Sequence, residues 1–454
     1  MTIVWAQQAL LPDGWAKDVS VHIDAKGRIE SVTPSSEPQG QRVGILLPAP
    51  VNAHSHAFQR AMAGLTERRG PDGTDSFWTW RRLMYRFLDR LTPDHVEATA
   101  TLVQMEMLEA GYATNVEFHY LHHAPDGTPY ARLGEMAERI AAAAEATGIG
   151  LTLLPVHYQF GGCDGRTLGS GQVRFGNDAD RYALLVEDCH AIVKTLPADT
   201  ALGVAPHSLR AVSREDVVRA PDLVPGGPVH MHFAEQVAEV EEVEAAYGAR
   251  PVEWLLDNAE LSERWCLIHC TQMQPDETTR LTKTGAVAGL CPITEASLGD
   301  GIFDGVRWMQ AGGQMAVGSD SNIRISLCEE LRQLEYSQRL RDRSRAALAT
   351  GAHSTGRALL DAIFQGGAQA AGRQTGRIEN GAWADLLVLD MDHIDLAGLD
   401  GDTALDSFVF AGSNAMVRDV WSAGRHVVQA GRHINRDRIV RAYAAATAEL
   451  RDLI

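Results

Sequence analysis

The feature that most constrains the fold is an alternation of short apolar runs with longer amphipathic stretches. This alternation predicts repeated strand and helix units around a parallel sheet. Eight runs have the length and composition of strands, and they end at Asn52, His119, Pro155, Pro206, His232, His269, Leu290 and Gly318. Helical patterns lie between strands at 95–111, 134–148, 180–195 and 272–284. Eight strands favour an α/β fold closed as a (β/α)8 TIM barrel.

The two ends of the chain have a different pattern, with short β-like pieces and glycine turns such as VHIDAKGRIESV and ADLLVLDMD. The length of 454 residues also exceeds what a single barrel needs. We therefore predict a barrel at 48–380 and one small β-sandwich, formed by 1–47 together with 381–454, which also carries a terminal helix.

Composition excludes several classes of partner. The net charge of −18 repels nucleic acid and anionic lipid, and no Lys/Arg run offsets it. No stretch is apolar enough to span a membrane, and the start MTIVWAQQALLPDGW does not have the pattern of a secretion signal. The six cysteines form no CxxC pair. We expect a cytoplasmic protein with reduced thiols and no nucleic acid or membrane partner.

The first candidate for chemistry is the segment NAHSHAFQ at 52–59. His54 and His56 are two residues apart at a strand end, so their side chains point the same way. Two imidazoles placed in this way suit one zinc ion. The pair alone is a weak signal, because two histidines at this spacing have a purely structural role about as often as they bind a metal.

Three further segments carry ligand-type residues at strand ends, namely VHMHFAEQ, CLIHCT and VGSDSN. Active sites of barrel enzymes are assembled at the carboxyl ends of the strands. Imidazoles and a carboxylate that converge there match a metal such as zinc. The four segments together predict a metal site.

Within VHMHFAEQ, His232 is one pleat nearer the barrel mouth than His230, so we interpret His232 as the ligand. His230 is then a core histidine or one that supports a ligand. Asp320 of VGSDSN, an ordinary turn residue if taken alone, completes a coordination shell that keeps room for a water.

Two other residues are candidates for proton transfer. Glu235 follows His232 by three positions at the rim, where it can shuttle a proton or simply cap the helix pattern at 236–246. His269 at its strand end is interpreted as catalytic, and its alternative is a core histidine.

The order HxH, HxxE, H and D, spread over about 270 residues, resembles the deaminase branch of the amidohydrolase superfamily. The resemblance implies one divalent metal per chain, usually Zn²⁺, held by His54, His56, His232 and Asp320. It implies that Glu235 and His269 assist catalysis, with Asp320 helping to orient the water. It also implies a homodimer.

The segments HSHAFQRAMAGL, DSFWTWRRLMYR, EFHYLHH, HSLRAV and LCPITEASLGDGIF look like those of the family of N-formimino-L-glutamate deiminases. This resemblance implies hydrolysis of N-formimino-L-glutamate, in histidine degradation, to N-formyl-L-glutamate and ammonia. It further implies that the substrate carboxylates are received by Arg81, Tyr120, His207 and Arg210, with Gln59 nearby.

Each of these substrate-binding candidates also has an ordinary structural role available to it. Arg81 can be a solvated helix charge, Tyr120 a core residue and Gln59 a turn cap. However, cationic groups clustered at the metal-bearing face of a barrel are unexpected in an acidic protein. Binding of the two substrate carboxylates would explain the cluster.

Two other functions remain open at the level of sequence. A nucleobase-like or other aromatic aminohydrolase would use the same zinc, Glu235 and His269, but it would favour stacking aromatics over an arginine clamp. A catalytically silent metal-binding barrel is the second alternative. Glu235 and His269, which coordination does not require, argue against it.

Overall fold

The computed structural model describes residues 2–65, 67 and 84–452. The strands are β1 (Thr2–Leu11), β2 (Gly14–Ile23), β3 (Ile29–Thr33), β4 (Gln41–Pro48), β5 (Val51–Ser55), β6 (Thr114–His119), β7 (Gly150–His157), β8 (Ala201–Leu202), β9 (Ala205–Pro206), β10 (Val229–Phe233), β11 (Trp265–His269), β12 (Val287–Leu290), β13 (Gln314–Val317), β14 (Leu386–Leu389), β15 (Val417–Ser422), β16 (Arg425–Gln429) and β17 (Arg432–His433).

The α-helices are α1 (Pro93–Glu109), α2 (Glu135–Thr147), α3 (Ala179–Val193), α4 (Arg214–Leu223), α5 (Val237–Tyr247), α6 (Pro251–Asn258), α7 (Pro275–Thr282), α8 (Pro292–Leu298), α9 (Gly305–Gln310), α10 (Leu327–Asp342), α11 (Thr355–Ala371), α12 (Gly401–Phe410) and α13 (Arg436–Asp452). Short 3₁₀ turns cover Ala57–Met62, Val173–Phe175, Ile394–Leu396 and Asn414–Met416. None of the helices in the described part of the chain is long and apolar enough to cross a membrane.

Strands β5 to β13 form a closed parallel barrel. Pairing runs from β5 through β6 and β7 to β8 and β9, and again from β10 through β13. Parallel bridges between Val204 and Val229 and between Ser55 and Asp320 join these two halves on both sides. Helices α1 to α10 connect or follow these strands along the chain, with two helices after β10 and two after β12. The predicted α/β fold class with a (β/α)8 barrel is confirmed.

The fourth barrel strand is interrupted between β8 and β9 at Gly203. A Cβ atom on Gly203 would lie 2.4 Å from the carbonyl oxygen of Pro228, which is closer than real contacts allow. That same oxygen accepts the N–H of Val204 at 3.0 Å. The glycine thus permits the close approach that brings the fourth strand against the start of β10.

Both ends of the chain contribute to a second, eight-stranded sheet in the order β17-β16-β15-β14-β4-β1-β2-β3. Strand β4 lies parallel to β1 and antiparallel to β14, so the first 48 residues are directly hydrogen-bonded to the last part of the chain. The buried face of this sheet includes Val4, Val21, Leu386 and Trp421. This sheet agrees with the predicted joining of the terminal segments.

The C-terminal end of α11 packs against the amino-terminal end of the barrel. The carbonyl oxygen of Ala370 accepts a hydrogen bond from His230 Nε2 at 2.7 Å, and that of Ala371 accepts one from Thr152 Oγ1 at 2.8 Å. These bonds satisfy carbonyl groups that the end of a helix leaves without partners. They also direct His230 towards the barrel floor, away from the mouth.

Candidate metal centre and active site

Four predicted ligands meet at the carboxyl end of the barrel. His54 and His56 lie at the end of β5, His232 lies in β10, and Asp320 follows β13. The Nε2 atoms of the three histidines are 3.1, 3.1 and 3.2 Å apart. Asp320 Oδ1 lies 3.5 Å from His54 Nε2 and 3.2 Å from His56 Nε2. All four residues are buried.

This spacing fits a tetrahedral metal ion. Ligand atoms about 2.0–2.1 Å from a zinc ion at tetrahedral angles lie about 3.3–3.4 Å from each other. Three ring nitrogens this close to one another cannot all be satisfied by mutual hydrogen bonds, because each pair needs one donor and one acceptor. A cation at their centre satisfies all of them.

The protonation states also suit a metal. His56 Nδ1 lies 2.9 Å from the carbonyl oxygen of Phe118, so Nδ1 carries the proton and Nε2 keeps its lone pair. Burial lowers the pKa of His54 to about 3 and that of His232 well below the ordinary value. Burial would raise the pKa of Asp320, but the imidazoles of His54 and His56 hold it well below its usual range.

A buried polar network fixes the backbone that carries Asp320. Asn52 Nδ2 donates to Ser319 Oγ at 2.6 Å, and Ser319 Oγ donates to Asn322 Oδ1 at 2.6 Å. Asn322 Nδ2 in turn donates to the carbonyl oxygen of Asp320 at 2.9 Å. Asp320 and Asn322 both have positive φ angles, 46° and 56°, which side chains other than glycine seldom adopt. The network stabilises this strained turn.

His269 lies close to three carboxyl groups of the site. Its Nε2 lies 3.8 Å from Glu235 Oε1 and 4.0 Å from Asp320 Oδ2. Its Nδ1 lies 3.2 Å from Glu295 Oε1. Burial would lower the pKa of His269, but the charge of Glu235 and the bond to Glu295 raise it well above the ordinary value.

Glu295 is a residue that the sequence analysis missed. His269, Cys291 and Glu295 have ligand atoms close enough to hold a metal. However, Glu295 Oε1 already accepts the backbone N–H of Cys291 at 2.8 Å and faces His269 Nδ1. This arrangement orients the ring of His269 with Nε2 towards the cavity. The only sequence signal for Glu295 was its place in the segment LCPITEASLGDGIF.

Glu235 sits beside a second buried carboxyl group. The backbone N–H of Glu235 donates to Glu239 Oε2 at 2.9 Å. Burial raises the pKa of Glu235, and burial together with the charge of Glu235 raises the pKa of Glu239 to about 7. A carboxyl group with a raised pKa can hold a proton near neutral pH.

One cavity opens onto His269, Glu235 and three of the four candidate ligands. It is lined by His56, Gln59, Met84, Tyr120, Tyr158, Phe175, His207, Arg210, His232, Glu235, His269, Thr294, Leu298 and Asp320. The structure thus brings Gln59, Tyr120, His207 and Arg210 to the same cavity as the ligand group. Arg81 lies outside the described residues.

The candidate substrate-binding residues are held by specific contacts. Gln59 Nε2 donates to the hydroxyl of Tyr120 at 2.8 Å. The ring of His207 lies 4.8 Å from that of His232. Burial would lower the pKa of Arg210, but the neighbouring Tyr158 and the carboxylates around it raise it. The guanidinium is therefore a permanent cation at the cavity wall.

Several lining residues were not anticipated from the sequence. Tyr158 follows β7 directly, and Phe175 lies in the 3₁₀ turn Val173–Phe175. Thr294 and Leu298 belong to α8, in the quoted segment LCPITEASLGDGIF. Tyr158 lies three positions beyond the predicted strand end at Pro155, and neither it nor Phe175 has a local signal in the sequence.

Comparison with known families gives two matches that together span most of the chain. The amidohydrolase family model matches residues 45–427. The model described as "Formimidoylglutamate deiminase HutF, N-terminal domain" matches residues 1–42.

Curated relatives include formimidoylglutamate deiminase from Pseudomonas aeruginosa, 46% identical over 458 aligned residues that cover 100% of both chains. Another is 5-methylthioadenosine/S-adenosylhomocysteine deaminase from Natronomonas pharaonis, 26% identical over 89% of this chain and 84% of the relative.

Two solved structures show the same architecture. An amidohydrolase from Brucella melitensis has a TM-score of 0.95 and 50% identity, covering 99% of this chain and 100% of its own. An adenosine deaminase from Xanthomonas campestris, solved with bound zinc, has a TM-score of 0.82 and 22% identity, covering 99% and 98%. The second likeness bears on the fold alone.

Proposed function

This chain belongs to the amidohydrolase family and to its formimidoylglutamate deiminases, and from that premise we propose that it hydrolyses N-formimino-L-glutamate to N-formyl-L-glutamate and ammonia. It is a hydrolase that acts on C–N bonds. The observation that carries the proposal is the composition of one cavity. Members of the ligand group, together with Glu235 and His269, line the same cavity as Arg210, Tyr120 and His207.

The metal in this proposal is one Zn²⁺ per chain, held by His54, His56, His232 and Asp320. Three neutral imidazoles and one carboxylate are a donor set that zinc accepts, and the spacing of their ligand atoms suits its tetrahedral preference. When bound in such a site, zinc lowers the pKa of water to about 7 and so makes a nucleophile available at neutral pH.

His269 and Asp320 hold and orient the attacking water in this proposal. Because Glu295 faces Nδ1 of His269, the Nε2 atom points to the cavity and exchanges a proton there. Asp320 Oδ2 lies 4.0 Å from that Nε2 atom, so a water between them can contact both.

Glu235 delivers the proton that the leaving group needs. Burial favours its protonated form, and Oε1 lies 3.8 Å from His269 Nε2, so a proton taken from the water can pass between the two. Neither nitrogen of the substrate leaves readily as an anion, so the nitrogen nearest Glu235 departs. If Arg210 holds the glutamate part of the substrate, the terminal nitrogen of the formimino group faces Glu235 and leaves as ammonia.

The remaining residues capture the two carboxylates. A chain with a net charge of −18 repels the two carboxylates of the substrate, so local donors must hold them. Arg210, Tyr120, His207 and Gln59 line the cavity in the described structure, and Arg81 is proposed to join them.

Product analysis tests this function. Purified enzyme loaded with zinc is incubated with N-formimino-L-glutamate, and proton NMR with an ammonia assay measures the products. We expect equal amounts of ammonia and N-formyl-L-glutamate. Formamide with free glutamate would show that the substrate binds in the reverse orientation. Turnover of guanine, cytosine or adenosine analogues instead would favour the aromatic aminohydrolase.

The histidine-degradation role, the homodimer and the cytoplasmic location remain part of the proposal. Light scattering during size-exclusion chromatography measures the oligomeric state directly. A mass near 99 kDa, twice the 49.3 kDa of one chain, is expected for a dimer.

A further inference from the structure

Arg174 is a buried arginine in the short 3₁₀ turn after β7, and the residue is 1% exposed. Its Nε donates to the carbonyl oxygen of His123 at 2.7 Å, and its Nη1 donates to that of Leu88. Its Nη2 donates to the Tyr130 hydroxyl at 3.4 Å. The carbonyl oxygen of Arg174 in turn accepts the N–H groups of His122 and His123 at 3.0 and 2.9 Å. Arg174 therefore joins three other segments to its own turn.

No carboxylate is among the hydrogen-bond partners of Arg174 in the described structure. Burial lowers its pKa, and a buried charge without an opposite charge beside it costs free energy. The other two arginines that are buried in the described part of the chain are compensated, Arg357 by Asp361 and Arg373 by Asp199. The guanidinium of Arg174 instead contacts neutral oxygens, for which its planar fork offers several donors at fixed positions.

The two carbonyl oxygens bound by this guanidinium belong to segments around the cavity. Leu88 lies four residues after Met84, and His123 lies three residues after Tyr120. Phe175 directly follows the arginine itself. Met84, Tyr120 and Phe175 all line the cavity, and we call these three residues the wall triad.

The members of the wall triad pack against one another. The ring of Phe175 lies 4.7 Å from that of Tyr120 and is nearly perpendicular to it. Met84 Sδ lies 3.9 Å from the Tyr120 hydroxyl oxygen. None of the three residues belongs to a strand of the described structure, so no ladder of backbone hydrogen bonds fixes their separation. Their packing depends on the side chains that tie the loops together.

From these contacts we infer that Arg174 is a positioning residue, which holds the wall triad together and thereby sets the affinity of the cavity for its substrate. The inference rests on the proposed function only for the identity of that substrate. A displacement of about 1 Å in the groups that position a substrate can cost about 10²-fold in activity, so a tie of this kind can govern substrate capture without touching the substrate.

Arg174→Lys tests this role. A lysine keeps the charge, but its single ammonium group cannot reproduce the planar fork that contacts three oxygens. We expect KM for N-formimino-L-glutamate to rise about 10-fold and kcat to change by less than about 2-fold. The turnover number is kept because the proton-transfer groups lie on other strands, with Glu235 just after β10 and His269 at the end of β11.

Arg264→Lys is the matched control. Arg264 Nε donates to the carbonyl oxygen of Gly227 at 2.8 Å, and Nη2 donates to those of Pro221 and Val224 at 3.0 and 2.8 Å. Arg264 thus also ties a loop through carbonyl oxygens, but it directly precedes β11, at the end of the barrel opposite the cavity. A loss of thermal stability is expected in both variants, whereas KM should rise only in Arg174→Lys.

The position of the wall triad can be measured without any substrate. Enzyme labelled with ¹³C at the methionine methyl groups gives one NMR signal for each methionine, and Met84→Leu identifies the signal of Met84. Because this signal depends on the orientation of neighbouring aromatic rings, it reports the packing of Met84 against Tyr120 and Phe175. It should shift in Arg174→Lys and stay in place in Arg264→Lys.

Tyr130→Phe is a milder second variant. It removes only the hydroxyl that Nη2 contacts, and a bond of 3.4 Å is weak. It should shift the Met84 signal in the same direction and raise KM about 2- to 3-fold. If Arg174→Lys yields no folded protein, Tyr130→Phe takes its place in the comparison with Arg264→Lys.

An unchanged KM in Arg174→Lys, an equal rise of KM in Arg264→Lys, or an unmoved Met84 signal overturns the inference. If the wild-type enzyme does not hydrolyse N-formimino-L-glutamate, the proposed function fails separately. The Met84 signal alone then decides whether Arg174 holds the wall triad together.

Discussion

At the scale of single residues, Asp320 and Glu235 are both acids near His269, yet their surroundings set them apart. The imidazoles of His54 and His56 keep the pKa of Asp320 low, whereas burial raises the pKa of Glu235. One acid is therefore kept as an anion, which suits a ligand. The other can carry a proton, which suits a general acid.

This difference predicts opposite effects on metal binding. Glu235→Gln should keep about one zinc per chain and lose about 10²-fold or more of kcat, since it removes a proton-transfer group. Asp320→Ala should lose the metal, since three ligands hold a divalent ion much less well. Metal content by emission spectroscopy, with turnover of the same samples, measures both.

Two results would contradict these roles. Near-normal kcat in Glu235→Gln would reassign Glu235 to positioning the start of α5. Unchanged zinc content in Asp320→Ala would place the metal elsewhere.

At the scale of elements, the packing of β7 against α3 buries an imidazole outside the active site. The ring of His157 stacks on that of Tyr182 at 4.3 Å, and its Nε2 has no hydrogen-bond partner among the described residues. Burial lowers the pKa of His157 to about 4, against the smaller opposing effect of Asp216 and Asp178. The strand and helix therefore pack best around a neutral ring.

This packing predicts acid sensitivity. Below the ordinary pKa of 6.5 the unfolded chain binds a proton at His157, while the folded chain does not until about pH 4. The stabilisation is thus complete above pH 6.5 and falls by up to about 1.4 kcal/mol per pH unit between these values. His157→Phe keeps the stacking and should flatten the pH dependence of the free energy of unfolding over that range.

Urea denaturation at several pH values measures this effect. His190→Gln, on the exposed face of α3, controls for the loss of a histidine. Parallel pH curves for wild type and His157→Phe would show that the ring does not contribute.

At the scale of the whole molecule, buried ion pairs join the barrel to the terminal sheet. Asp199, in the loop before β8, accepts from both Nη atoms of Arg425 in β16 at 3.0 and 2.7 Å. Arg373, just after α11, lies 3.4 Å from Asp199 and 3.2 Å from Asp385. Asp199, Arg373 and Asp385 are all buried. Each charge is therefore compensated by a residue from another part of the molecule.

Removing one charge from this network should be costly. Asp199→Asn leaves Arg373 and Arg425 under-compensated, and we expect a loss of about 3–5 kcal/mol in the free energy of unfolding. The matched control is Glu215→Gln, which breaks the exposed pair with Arg219 and should cost less than about 1 kcal/mol. Chemical denaturation compares the two, and equal losses would show that the network does not stabilise the joint.

The fold class and the strand ends at which the candidate ligands lie follow from local patterns in the sequence. Apolar periodicity is a local property, and a residue at the end of a barrel strand faces the mouth wherever its partners are. His54, His56, His232 and Asp320 could therefore be grouped before their distances were known. The resemblance to a family added the proposed substrate and the candidate residues for binding it.

The side chains that support these residues can be identified only from the folded arrangement. Glu295 contacts His269 across 26 positions of sequence, Gln172 contacts Tyr158 across 14, and Arg425 contacts Asp199 across 226. No periodicity links such pairs, because each contact arises from the packing of separate elements. The physical reason is that a strand-end position sets the direction of a side chain, whereas its hydrogen-bond partner depends on which loops the closed barrel brings together.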